Sequence, residues 1–190
     1  RTVAAAANTQ EALAGTTLVS AAAINPHALS RLLAQQLQGQ PFLRSVSVLD
    51  DQGVVLASSH APDAGLRVPL AQVRPADAAL GVDRIGPLLQ VRHLGELAPG
   101  ATPSTWSTAL PMVRSVRAAD GSTRWLVLLL NLAYVTNQHG LATGDQPLRA
   151  LVLDLTGTVL ARTGPDDRKT GGRLPDWPAT ARLQANRDHG

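Results

Sequence analysis

Residues 46–58 read VSVLDDQGVVLAS, and residues 150–162 read ALVLDLTGTVLAR. Setting Asp50 on Asp154 leaves a shared skeleton, Val-Leu-Asp-x-x-Gly-x-Val-Leu-Ala. Asp starts a tight turn by bonding its own backbone, and Gly supplies the positive φ that such a turn needs. Apolar residues on both sides make each copy a β-hairpin. One hairpin written twice predicts two sheets of similar design rather than one. At 190 residues the chain can hold one large domain or two small ones. The repeat favours two units, 1–137 and 138–190.

The segments around the first hairpin predict an α+β unit. Residues 2–24 are rich in Ala, and Val3, Ala6, Ala7, Leu13, Ala14, Thr17, Leu18 and Ala21 recur near helical spacing. Asn25-Pro26 then supplies an N-cap and a first-turn proline. A second helix is expected from Pro26 to about Gln38, with Leu29, Leu32, Leu33 and Leu37 on one face and Gly39 ending it. The hairpin spans 44–59, and Asp50 is read as a turn residue rather than an acid or base. Residues 59–103 hold Pro62, Pro69, Pro75, Pro87, Pro99 and Pro103 between short apolar pieces. Connections of that length contain short elements or carry function, so a layer of loops and short helices is expected, with a strand near 88–94. Strands follow over 106–116 and 123–135. The first alternates, with Trp106, Thr108, Leu110, Met112 and Arg114 on one side. The second is nearly all apolar, so both its faces must be covered. One face carries Leu126, Leu128, Leu130, Leu132 and Tyr134, the other Trp125, Val127, Leu129, Asn131 and Ala133. The expected fold is a long N-terminal helix packed on a five-stranded antiparallel sheet, followed by a partial second unit that holds the hairpin and lacks its closing strands.

Several function classes are disfavoured. Basic residues number 17 and acidic ones 14, interspersed rather than in blocks. A nucleic-acid binder would cluster Lys and Arg with aromatics between them, whereas the aromatics here are only Phe42, Trp106, Trp125, Tyr134 and Trp177. No partner nucleic acid is expected. The absence of cysteine excludes disulfides and thiolate metal sites. The apolar run Leu126–Leu130 is far short of the roughly 20 residues that cross a bilayer. No Gly-x-Ser-x-Gly, P-loop or His-Glu-x-x-His occurs. His27, His60, His93, His139 and His189 show no ligand spacing, and Glu11 and Glu96 are isolated from other carboxylates. The reading is therefore of no enzyme, no catalytic residue, no metal and no cofactor. The chain starts at Arg rather than Met, so it is expected to be a piece of something longer.

The order of these elements, with Phe42-Leu43-Arg44-Ser45-Val46-Ser47-Val48-Leu49-Asp50 leading to Gly53, resembles a known family. Trp125-Leu126-Val127-Leu128-Leu129-Leu130-Asn131 before Ala133-Tyr134, and Gly157-Thr158-Val159-Leu160-Ala161-Arg162 before Pro165, add to the likeness. The chain is similar to the double Cache (PAS-like) extracytoplasmic sensor region of bacterial transmembrane receptors, over essentially its whole length. The resemblance implies a membrane-distal module at 1–137 and the start of a membrane-proximal one at 138–190. It implies periplasmic placement, membrane anchoring through segments outside this chain, and an output domain beyond it: a histidine kinase, a nucleotide cyclase or phosphodiesterase, or a chemoreceptor. The alternative is a soluble periplasmic binding or interaction module without transmembrane signalling. The small residues before Asn25 allow close helix approach and suggest a homodimer through that helix; the competing reading lays the helix wholly on its own sheet.

A small-molecule ligand would then sit between the sheet and the layer 59–103. If the leucine row faces the helices, Trp125 and Asn131 face that layer. Burying the Asn131 amide unpaired would cost about 1–3 kcal/mol, so it needs either loop backbone or a ligand. Trp106 and Thr108 are placed on the same face. Arg92 or Arg114 is expected to turn inward for an anionic solute, since a guanidinium fork suits a carboxylate.

Overall fold

The computed structural model describes residues 2–16, 19, 21, 24–75, 80–102, 107–134, 151–153, 158–162 and 172. The chain divides into two compact units, 1–131 and 132–190.

In the first unit, helix α1 spans Thr2–Ala14 and α2 spans Pro26–Leu37. α1 ends before Gly15 rather than reaching residue 24, because glycine is a poor helix former. Ala6, Gln10 and Leu13 form its buried stripe. The sequence rule for α2 holds in detail: Asn25 is the N-cap, its side chain accepts from the Ala28 N–H at 3.1 Å, and Pro26 opens the helix. Leu29 and Leu33 are its buried residues.

Strands β1 (Leu43–Leu49), β2 (Val55–Ser58), β3 (Arg84–Ile85), β4 (Ala109–Arg117) and β5 (Thr123–Asn131) form one sheet in the order β2-β1-β5-β4-β3. Every pairing is antiparallel. The expected strand near 88–94 is replaced by β3, which lies earlier. Gly86-Pro87 follows β3, and Pro87 lacks the N–H a ladder needs; Leu89 makes only an isolated bridge to Ala109. The fifth strand stops at Asn131 rather than 135.

The β1–β2 turn is built as its residues demand. Asp50 Oδ1 accepts from the backbone N–H of Gln52 at 2.9 Å and of Val54 at 2.8 Å. Gly53 has φ +80, and a Cβ there would lie 2.2 Å from the Val68 carbonyl oxygen. No residue but glycine satisfies both conditions.

Register decides which side chains share a face. Across β4 and β5, Met112 pairs with Leu128, Leu110 with Leu130 and Arg114 with Leu126. Trp125, Val127 and Leu129 point the other way, beside Ser115, Val113 and Pro111. Trp125, Val127 and Leu129 join Leu49, Val55, Val68, Val73, Leu89, Val91 and Leu94 in one apolar cluster beneath the loop layer. Arg74 lies 4.8 Å over the Trp125 ring. The opposite face takes the helices, α1 over β4 and β5, α2 over β1 and β2. Gln10, fully buried, donates to the Met112 and Leu126 carbonyls at 3.3 and 3.0 Å. Arg124, also buried, donates to the carbonyls of Val19 and Ala21.

The second unit contains β6 (Leu151–Leu153) and β7 (Val159–Arg162), a sheet of their own. In the first hairpin Ser47 faces Ser58, Val48 faces Ala57 and Leu49 faces Val55, with a bulge between Val48 and Leu49. In the second, Leu151 faces Arg162, Val152 faces Ala161 and Leu153 faces Val159, with the bulge between Val152 and Leu153. The two ladders coincide, bulge included, under the offset that sets Asp50 on Asp154.

Candidate functional site

Polar side chains break the apolar lining at the β1–β2 end of the loop-facing surface. β1 alternates, so Ser45 and Ser47 leave from one face; both are buried. Ser47 Oγ donates to Ser58 Oγ at 2.9 Å across the hairpin. Ser58 Oγ in turn accepts from the His60 backbone N–H at 3.1 Å. His60 opens the short 3-10 turn Ala61–Asp63, and His93 opens a second one, Leu94–Leu97.

These two turns bring their side chains together. Asp63 is 1% exposed, and its Oδ1 lies 3.0 Å from His60 Nδ1 and 2.9 Å from His93 Nδ1. The two rings stack with centroids 3.9 Å apart and planes at 27°. His93 Nε2 sits 3.3 Å from Glu96 Oε1, while Glu96 Oε2 accepts from the Arg92 backbone N–H at 3.1 Å. Asp63 Oδ2 is buried and has no hydrogen-bond partner among the described residues. Gly95 lets the carboxylate in: a Cβ there would fall 2.4 Å from Asp63 Oδ1.

Arg44 lies within the electrostatic reach of Glu96 and Arg92. It sits where β1 slips register against β5, between Leu43 and Ser45. Its Nη1 donates to Ser107 Oγ, and its Nε is buried without a partner among the described residues, as is Ser45 Oγ. Burial pushes its pKa below the ordinary arginine value, Arg92 pushes the same way and Glu96 opposes both. The group stays cationic all the same, since guanidinium does not deprotonate in proteins. A half-buried cation with an N–H that has no partner among the described residues can take up an anionic or polar solute.

The residues expected from sequence are only partly gathered here. Trp125 faces the loop layer as anticipated, but it is packed in the apolar cluster. Thr108 is half-buried next to Ser107. Asn131 Nδ2 donates to the Pro41 carbonyl at 3.1 Å, the backbone partner foreseen as one of its options. Arg92 is exposed at the surface and contributes its backbone. Arg114 shares the Leu126 face, away from Trp125, and pairs with Asp83 at 3.5 Å. Its alternation with Leu110 and Met112 was legible; which face that set takes follows from the β4–β5 register, which the alternation alone does not give. Trp106 lies outside the described residues.

Arg44, Ser45, His60, Asp63, His93 and Ser107 were missed. One signal was present. His60-Ala61-Pro62-Asp63 and His93-Leu94-Gly95-Glu96 are both His-x-x-acid, and each opens a 3-10 turn.

Solved structures share this architecture. The ligand-binding domain of the Pseudomonas fluorescens chemoreceptor CtaA, in complex with L-valine, superposes with a TM-score of 0.58 at 17% identity, covering 99% of this chain and 74% of that one. An extracellular ligand binding receptor from Desulfohalobium retbaense gives 0.60 at 12% identity, covering 94% of this chain and 30% of that one. The extracellular domain of a histidine kinase, rpHK1S-Z16, gives 0.53 at 17% identity, covering 77% and 56%. The chain shares the fold of these extracellular and ligand-binding domains. It spans about half or less of the length of two of these three neighbours. No protein-family description and no curated protein matches it. In this chain the α+β fold consists of the five-stranded antiparallel sheet, the helices on one face and the loop layer on the other.

Proposed function

We propose that this chain is the ligand-sensing part of a bacterial membrane receptor, lying outside the cytoplasmic membrane and binding a small anionic solute. It acts by binding rather than by catalysis. The observation that carries the reading is Arg44: a cation drawn under the loop layer of a Cache-like fold, with a buried N–H that no group among the described residues satisfies, next in sequence to Ser45, whose buried hydroxyl also lacks a partner among them. Burying such groups unpaired is costly, and a carboxylate accepts from a guanidinium N–H or a hydroxyl. Ser107 accepts a hydrogen bond from Arg44. A chemoreceptor domain of this fold is bound to L-valine, and valine carries a carboxylate of the kind Arg44 would take.

In this reading residues 138–190 begin a second, membrane-proximal module, which gives the repeated hairpin its purpose. Segments outside the chain anchor it, α1 leads towards the membrane and serves as the dimer contact, and the output is a kinase, a cyclase or phosphodiesterase, or a chemotaxis domain. Among the described residues no helix is long and apolar enough to cross a membrane.

The test is a thermal-shift screen of small carboxylates, followed by calorimetry on the hit with Arg44→Ala and Ser45→Ala variants. A hit whose affinity falls at least tenfold in Arg44→Ala supports the site. A hit that binds both variants unchanged removes it. The full-length gene tests the receptor reading separately: apolar spans flanking the chain and a cytoplasmic output domain support it, while their absence leaves a soluble periplasmic binding module.

A further inference from the structure

We propose that His60, Asp63 and His93 form a binding site for a first-row divalent transition-metal ion such as Zn2+. One donor atom from each of the three residues can be chosen so that all lie within 4.8 Å of one another. Two imidazoles and one carboxylate suit zinc, copper, nickel or iron, and discriminate against magnesium and calcium, which prefer all-oxygen sets.

The spacings are those of a coordination edge. Metal–nitrogen and metal–oxygen bonds near 2.1 Å put neighbouring donors about 3.0–3.4 Å apart. The two Nδ1···Oδ1 separations are 3.0 and 2.9 Å, two edges of such a set. The chemistry also calls for a cation. An ionised carboxylate only accepts, so each ring nitrogen facing Asp63 must carry either a proton or a metal. Two stacked rings turning the same nitrogen to one carboxylate provide a convergent set.

Two further observations point to a ligand here. Asp63 is 1% exposed, yet its Oδ2 has no hydrogen-bond partner among the described residues, leaving half of a buried carboxylate available. Glu96 Oε1 lies 3.3 Å from His93 Nε2. A carboxylate on the far nitrogen of a ligating histidine fixes its tautomer and orientation and raises its basicity. Gly95, which could bear no side chain without striking Asp63, holds the second turn against the first. Bound metal would fasten the turn Ala61–Asp63 to the turn Leu94–Leu97, joining the two ends of the loop layer. This site stands on its own residues, whether or not the chain proves to be a receptor.

The experiment uses the whole chain without a polyhistidine tag, dialysed against EDTA, and titrated with Zn2+ by calorimetry and thermal shift, with Mg2+ as control. One equivalent of Zn2+ should bind, raise the melting temperature, and be reversed by EDTA. Co2+ should give visible absorption bands. His60→Gln and His93→Gln should each weaken Zn2+ binding by a hundredfold or more, and Glu96→Gln by about tenfold, the lower end for an outer-shell partner. A triple variant, H27Q/H139Q/H189Q, retains His60 and His93 as its only histidines and must bind as the parent does. That variant keeps the proposal falsifiable should a ligand variant fail to fold. Absence of binding at millimolar Zn2+, loss of binding in the triple variant, equal response to Mg2+, or unchanged affinity in both folded His→Gln variants would each overturn it.

Discussion

Gly53 offers the sharpest quantitative test of the hairpin geometry, because Gly121 is a built-in control. Both have nearly the same backbone conformation, φ +80 and +81. They differ in surroundings: nothing lies within 4 Å of a Cβ placed on Gly121, whereas one on Gly53 would lie 2.2 Å from the Val68 carbonyl oxygen. Gly121→Ala therefore reports the left-handed strain alone, about 1–2 kcal/mol. Gly53→Ala adds a backbone collision that must push residues 67–68 off the hairpin. That displacement strains the hydrogen bond from the Val68 N–H to the Gly53 carbonyl, 2.8 Å, and the bond from the Val55 N–H to the Leu66 carbonyl, 2.9 Å. At about 0.5–1.5 kcal/mol each, the total for Gly53→Ala comes to roughly 2–5 kcal/mol. Asn tolerates positive φ but carries a Cβ, so Gly121→Asn should be milder than Gly121→Ala, while Gly53→Asn should stay as damaging as Gly53→Ala. Urea unfolding with shared m-values measures all four. If Gly53→Ala costs no more than Gly121→Ala, the close approach of Val68 is not what holds glycine at this turn.

Other expectations follow from the helix face and from one exposed carboxylate. Gln10→Leu, which removes the buried unpartnered Oε1 together with the bonded Nε2, should change stability by less than about 1 kcal/mol, whereas Gln10→Ala should cost about 2 kcal/mol or more by leaving a cavity as well; urea denaturation separates them. Arg124→Met should cost about 2–4 kcal/mol, since it strips the donor from the Val19 and Ala21 carbonyls, with amide exchange rising first near residues 19–24. Hydrogen bonds from Ser122, with a smaller contribution from Arg124, hold the Asp120 carboxyl below its ordinary value. A depressed folded pKa contributes stability above the unfolded pKa, and that contribution is lost as pH falls through the folded one. Ser122→Ala should therefore move the Asp120 titration upward, towards the usual carboxylate range, in an NMR pH series, and an unmoved titration would contradict the hydrogen-bond cause.

Much of the fold could be read from local chemistry. Asn25-Pro26 specified a helix start because the cap bond is made within three residues, and Asp50 with Gly53 specified a turn for the same reason. The duplicated skeleton located both hairpins, and even their bulges coincide. The failures lie where distant segments decide. Alternation grouped Arg114 with Met112 correctly, but only the pairing of Arg114 with Leu126 shows that this set faces the helices. Asp63 and His93 are 30 residues apart, and nothing local says that two 3-10 turns stack their histidines. Arg44 went unnoticed because its role comes from a register slip against β5, which depends on a strand far along the chain.

The loop layer is joined to the sheet as well as laid over it. β2 is an outer strand, and its free side is taken up by residues 65–68: the Gly65 N–H bonds to the Val55 carbonyl at 2.8 Å, and Val54 and Arg67 form an antiparallel bridge. Unpaired outer strands invite pairing with other chains and aggregation, and here the segment that follows the His60–Asp63 turn serves as the seal. Lifting that part of the layer to admit a solute would thus bare the margin of the sheet. Entry and self-association compete for the same backbone groups, and the amides of Val55, Gly65 and Val68 would register both.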